Sequence, residues 1–266
     1  MNDVSGPPVG VIAGLVALQL LYLLCVGRFR DRFASAQPVS MARRLVFAEG
    51  VVVLLLALAS PLHELSERYL FSAHMVQHLL VALAAAPLLL AGTPGWLMRE
   101  LLAAARLTGL ARRARHPVLA FGLFNLVFSL AHVPAVYEFA VSNDALHAAE
   151  HLVFLLTAVL MWLPILSPLP DVLPRYPPLG QVLYLFLQTI PSGLVGAILS
   201  ASGSAVYATY VMAPRLTALS PQEDQQLGGL LMWVGTGFYF LIASAVVFFT
   251  WASREEAANR RPIGVV

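Results

Sequence analysis

The sequence predicts an all-α fold: a polytopic membrane helix bundle, one domain over residues 1–266, with seven transmembrane helices, the N-terminus outside and the C-terminus inside. Three observations predict it. Of the 266 residues, 59% are hydrophobic and only 11% charged, where a soluble domain carries roughly 25% charged residues. The apolar residues come in long continuous runs rather than in alternation, which makes the spans helices, since open strands would leave backbone groups unpaired in lipid. The sixteen basic residues, all arginine, fall almost entirely on one side of the path that those runs define.

Taken in chain order, spans are expected at about 8–27, 44–62, 72–92, 117–137, 146–168, 180–202 and 228–252, each near the ~20 apolar residues that a crossing needs. The first has no positive region before it and reads as a span rather than a cleaved signal. Its Cys25, alone in the chain, excludes an internal disulfide framework and a cysteine-based zinc site. The third connection, "GWLMRELLAAARLTGLARRAR", mixes Trp96, Leu97, Leu101, Leu102, Leu107 and Leu110 with arginines and reads as an amphipathic helix in the membrane interface. The fourth and fifth spans are joined by a short turn, "EFAVSNDA".

Orientation follows from arginine. The side of the first, third and fifth connections and the C-terminal tail holds fourteen: Arg28, Arg30, Arg32, Arg43, Arg44, Arg99, Arg106, Arg112, Arg113, Arg115, Arg175, Arg254, Arg260 and Arg261. The other side holds Arg68 and Arg215. The positive side is cytoplasmic. Eight acids, Asp3, Glu64, Glu67, Glu138, Asp144, Glu150, Glu223 and Asp224, lie outside or near the outer ends. Either they set up a field that favours cations, or they occupy the side that arginine avoids.

In this topology six of the seven histidines reach one depth, beneath the outer surface. His74 and His78 open the third span, and His147 and His151 open the fifth, each pair at i and i+4 on one helix face. His132 lies near the outer end of the fourth span and His63 ends the second, where "SPLHELSER" reads as a helix end entering a wet loop. Only His116 is cytoplasmic. A lone histidine near a helix end is ordinarily a hydrogen-bonded structural residue. A cluster at one level points instead to a metal, because imidazole suits copper, zinc, iron and nickel and ionisable groups in a bilayer are functional candidates by default.

The spacing bears on which metal. Two stacked haems would need ligands on one helix about 20 Å apart, or roughly 13 residues, so at most one haem fits a pair spaced at four. "HMVQH" has Gln77, and "HAAEH" has Glu150, directly before the second histidine, which is not the arrangement of a zinc protease. Copper accepts imidazole as Cu(I) or Cu(II), and Cu(I) also takes thioethers, which brings in Met232 and Met75, although such methionines are more often packing residues. No Walker loop, dinucleotide fingerprint or nucleophile elbow occurs. The arginines are a topology signal and imply no nucleic-acid partner; the partner they imply is the lipid bilayer. No enzymatic activity is expected.

"SAHMVQHLL" at 72–80, "LHAAEHLVFL" at 146–155 and "SPQEDQQLGGLLMW" at 220–233 together resemble the CtaG-like family of multi-span cytochrome c oxidase assembly factors, over about residues 45–250. The resemblance implies a role in maturing haem–copper oxidase in the bacterial cytoplasmic membrane, by handling copper at its outer face. It implies as partner an oxidase subunit or a periplasmic copper chaperone. Its motif falls on His74, Gln77, His78, His147, Glu150, His151, Asp224, Gln225, Gln226, Met232 and Trp233. The expected metal site is therefore His74, His78, His132, His147 and His151, with His63, Glu150, Gln77, Asp224, Gln225 and Met232 as ligands or supports. Asp224 and its neighbours equally read as a helix N-terminal cap. A haem-binding electron carrier and an inward copper transporter are the alternatives. The transporter would need polar groups through the inner half, where only Glu49, Asn125 and Gln188 are available.

Overall fold

The computed structural model describes residues 9–33, 35–114 and 116–260. Asp3, Arg115, Arg261 and residue 8 of the first expected span lie outside the described residues. The helices are α1 (Val9–Val26), α2 (Met41–Ala59), α3 (Pro61–Arg68), α4 (Phe71–Gly92), α5 (Gly95–Ala104), α6 (Thr108–Ala114), α7 (Pro117–Ala131), α8 (Pro134–Val141), α9 (Asp144–Leu166), α10 (Pro178–Ala201), α11 (Ala208–Met212) and α12 (Pro221–Asn259). No strand occurs among the described residues. Five helices, α1, α4, α9, α10 and α12, are long and apolar enough to cross a membrane, or up to seven if the bent pairs α2–α3 and α7–α8 each count as one span. The chain is a multi-pass membrane protein.

Proline sets the two bends. Pro61 and Pro134 lack the N–H that would continue a helix, and each forces its predecessor out of the helical region. Ser60 is extended at φ −99°, ψ 177°, and Val133 at φ −70°, ψ 123°. The axis turns by 43° after α2 and by 78° after α7. The expected spans 44–62 and 117–137 run across these breaks, and the expected turn "EFAVSNDA" begins inside α8. The last span is longer than expected, starting at Pro221 rather than near residue 228. The third connection forms two helices, not one, parted where Arg106 takes a left-handed φ of 55°. Trp96 and Leu97 of α5 are buried.

The central helix is α4: 61% of its apolar window is buried, against 17% for α1. It packs on α2, α3, α9 and α12. A π turn over Leu80–Ala85 interrupts it. Pro87 cannot donate back into this turn, and two of the turn's carbonyls accept from side chains of other helices. Trp162 Nε1 donates to Ala82 O at 2.9 Å, and the Tyr239 hydroxyl donates to Leu83 O. These bonds tie α4 to α9 and α12 in the middle of the bundle. The helices α10 and α12 cross closely: a Cβ on Gly196 would stand 2.5 Å from Gly229 O, so small residues permit the approach. Peripheral α1 is held through Tyr22, stacked on Phe47 with centroids 3.8 Å apart and donating its hydroxyl to Gly92 O at 2.8 Å.

Candidate metal centre

The histidine-bearing turns meet at one end of the bundle, and the start of α4 is fixed there from outside its own sequence. Its N-terminal N–H groups have no local side-chain cap. Asp224 supplies one: its carboxylate accepts from Phe71 N at 2.7 Å, from Ser72 N at 3.3 Å and from Ser72 Oγ at 2.5 Å. Its own helix is capped by Ser220 and Glu223 in a reciprocal capping box. Gln225 accepts from Val206 N at 2.7 Å and donates to Leu199 O and Ser204 O, both at 3.3 Å. Asp224 and Gln225 thus position helix and loop, and their hydrogen bonds go to groups other than imidazole.

With α4 placed, four imidazoles converge. His74 lies 4.3 Å from His78, 5.6 Å from His147 and 6.2 Å from His151, measured between ring centroids. His78 lies 5.4 Å from His151 and 6.0 Å from His132. All five are buried. Phe154 packs on His78 at 4.6 Å, and Tyr137 meets His74 edge-on at 5.3 Å.

Hydrogen bonding decides which nitrogens are available. His147 Nδ1 donates to Glu67 Oε2 at 2.8 Å, His151 Nδ1 to His147 O at 3.0 Å, and His132 Nδ1 to Phe128 O at 2.6 Å. A carbonyl or ionised carboxylate only accepts, so the proton of each neutral ring sits on Nδ1 and its Nε2 carries a free lone pair. Such outer hydrogen bonds characteristically fix and orient metal-binding imidazoles. The Nε2 atoms of His147 and His151 have no hydrogen-bond partner, nor has either nitrogen of His74 or His78. Of fifteen buried, unpartnered side-chain polar atoms among the described residues, ten belong to His74, His78, His147, His151, Gln77, Glu67 and Glu150. Each unmet buried group costs about 1–3 kcal/mol. Concentrated in one place, they form a group of buried donor atoms with lone pairs to offer a ligand. Glu67, His147 and His151 offer donor atoms all within 4.8 Å of one another. Ligands on a bound ion stand roughly 3–4 Å apart given bonds of ~2.0–2.2 Å, which small side-chain rotations would reach.

The remaining expected residues divide. Glu150 belongs at the rim, its Oε2 3.9 Å from His147 Nε2 and both oxygens unpartnered. His63 is turned to the cluster's support: its Nδ1 meets Gln77 Nε2 at 3.1 Å and Glu67 Oε1 at 3.4 Å, while Gln77 also donates to Ala57 O at 3.0 Å. His132 and Met232 lie on a neighbouring cavity of about 20 Å³ with Met75 and His78. A larger cavity of about 520 Å³, lined by Arg43, Trp96 and Arg99, contains none of these histidines. Beyond His132 the polar groups continue as Asn125, which donates to Gln188 Oε1 at 2.8 Å, while Glu49 is exposed.

Sequence reasoning overlooked Glu67 and the cover of the site. Glu67 shares a helix face with His63 at i+4, and that spacing was the available signal. The cover consists of α8 and α11. Tyr137 donates to the Tyr210 hydroxyl at 2.5 Å, Tyr210 donates to Ser66 O at 2.6 Å, and Tyr207 donates to His132 O at 2.8 Å. Burial pushes the phenols of Tyr207 and Tyr210 above their ordinary range, so both remain donors. Glu138 completes the cover by accepting from Thr209 N at 3.1 Å and Thr209 Oγ1 at 2.7 Å.

The chain from the second half of α1 through this cluster into the last turns of α12 can be matched as one unit. Residues 20–254 match the family described as cytochrome c oxidase caa3 assembly factor (Caa3_CtaG). The chain belongs to the Caa3_CtaG family. No match was found among curated proteins or among solved structures. Membership in Caa3_CtaG bears out the resemblance carried by the three motifs, and the matched range contains every residue of the cluster. It makes the protein an oxidase assembly factor, with an oxidase as its implied partner and a role that the family points to as non-catalytic.

Proposed function

We propose that this Caa3_CtaG protein binds copper in the imidazole–carboxylate cluster, at the outer face of the bacterial cytoplasmic membrane, and delivers it during cytochrome c oxidase assembly. The observation that carries the reading is the set of converging, unpartnered imidazole nitrogens, with the proton of His147 and of His151 held on the far side of its ring. Imidazole nitrogens with a nearby carboxylate suit copper in either oxidation state. The arginine distribution supports a seven-span arrangement with the N-terminus outside, which puts the cluster on the extracytoplasmic side. There it faces a haem–copper oxidase subunit or a periplasmic copper chaperone. Ring centroids 4.3–6.2 Å apart leave space for a bare ion, whereas a haem would have to part the rings and the helices that carry them.

The test is copper analysis of the detergent-purified protein. Wild type is expected to bind copper, and His147→Ala combined with His151→Ala to lose it from the cluster, with loss of oxidase maturation in cells. Undiminished copper affinity in that double variant would refute the assignment. A purified protein with a Soret band would favour the haem carrier instead.

A further inference from the structure

His132 and Met75 pose a problem that the imidazole cluster does not solve. His132 Nε2 faces Met75 Sδ at 3.3 Å. The Nδ1 proton is already given to Phe128 O, so Nε2 of the neutral ring presents a lone pair, and a thioether sulfur presents lone pairs and no hydrogen. Two lone pairs face each other in a buried place. A cation between them would turn this repulsion into attraction. An ion holding nitrogen at ~2.0 Å and sulfur at ~2.3 Å, with a near-tetrahedral angle between them, sets the two about 3.5 Å apart. The 3.3 Å found here is close to that separation.

The surroundings suit one small, soft ion. Met75, His78, His132 and Met232 all line the cavity of about 20 Å³, enough for one water-sized occupant. Met232 is buried and sits in the π turn Leu231–Gly235 of α12; such turns, common at functional sites, re-aim side chains that a continuous α-helix would place elsewhere. Met75 reaches its position because position 228 is glycine. A Cβ there would come within 2.5 Å of the Phe71 ring and 3.2 Å of Met75 Cγ.

We propose that Met75, Met232, His132 and His78 form a second, thioether-bearing site for Cu(I), separate from the His147–His151 site that Glu67 orients. Thioethers select Cu(I), whereas the imidazole site also accepts Cu(II), so the two sites differ in the oxidation state they favour. His78 stands between them, with centroids 5.4 Å from His151 and 6.0 Å from His132. This rests on the copper reading of the cluster only for the identity of the cargo.

The test is anaerobic loading of the full chain in detergent with Cu(I), followed by metal analysis and X-ray absorption at the copper edge. More than one copper per chain and a sulfur shell near ~2.3 Å are expected. Met75→Leu and Met232→Leu conserve side-chain volume, and each is expected to remove sulfur scattering and one equivalent of copper. His147→Ala with His151→Ala is expected to keep the sulfur shell while losing the other equivalent. Copper bound by wild type through nitrogen and oxygen alone, or a sulfur shell unchanged in either leucine variant, overturns the second site and leaves the first standing. No copper bound at all overturns both.

Discussion

The two histidine pairs have the same spacing and opposite circumstances. On α9, His147 and His151 each have Nδ1 engaged, by Glu67 and by a carbonyl of their own helix, so that one nitrogen of each is committed and the other presented. On α4, neither His74 nor His78 has a hydrogen bond at either nitrogen. Spacing at i and i+4 puts two rings on one face. It does not say which atom of either ring is prepared. The α9 pair is oriented before any ligand arrives, whereas the α4 pair is held by packing alone, between Tyr137 and Phe154. Pre-organised groups lose less freedom on binding, so the α9 pair should dominate affinity.

That contrast can be broken most directly by removing one ring from each pair. His151→Ala is expected to weaken copper binding by more than about 100-fold, beyond the 10–100-fold typical of losing a supporting hydrogen bond. His74→Ala should cost less than about tenfold. Competition titrations with a chromophoric chelator measure both, and equal losses would end the distinction. Next comes the orienting group: Glu67→Gln keeps the shape but removes the carboxylate, and a roughly 10–100-fold weaker affinity is expected. If Glu67→Gln binds as tightly as wild type, His147 does not owe its readiness to Glu67. Asp224→Asn probes the α4 side, where it places an amide N–H₂ against donors that need an acceptor. A loss of about 1–3 kcal/mol is expected, read as a lower melting temperature, with copper per folded protein unchanged.

The smallest effect concerns the cover. Burial raises the phenols of Tyr207 and Tyr210, so the folded protein keeps their protons at pH values where an unfolded tyrosine, near pH ~10, would lose them. With the neutral form favoured in the fold, their contribution is constant below pH ~10 and declines as pH rises above it. Melting temperature should be flat from pH 7 to 9 on this account and fall beyond, with Tyr207→Phe and Tyr210→Phe reducing the tyrosinate absorbance that appears as the protein unfolds.

Much of the site could be read directly from the chain. Imidazoles are rare in apolar runs, and the direction of each span placed His74, His78, His132, His147 and His151 at one level. Even the Nδ1 bonds of His132 and His151 were accessible, since each reaches the carbonyl four residues back on its own helix. Long-range partnership was not. Asp224 looks like a cap for the helix it begins, but caps another 153 residues away, and Glu67 meets His147 across 80 residues. The fold behaved likewise: the apolar windows located the spans, but averaged over Pro61 and Pro134, where a single missing N–H breaks the axis.

The cover of the site is fastened to the parts that it shields. Tyr207 holds the backbone at His132, and Tyr210 holds it at Ser66, one residue before Glu67. Displacing residues 206–212 therefore withdraws a hydrogen bond from both ligand-bearing segments in the same movement. Access and grip are one mechanical variable, and whatever tugs on this flap gains leverage over the proposed metal site beneath without touching it.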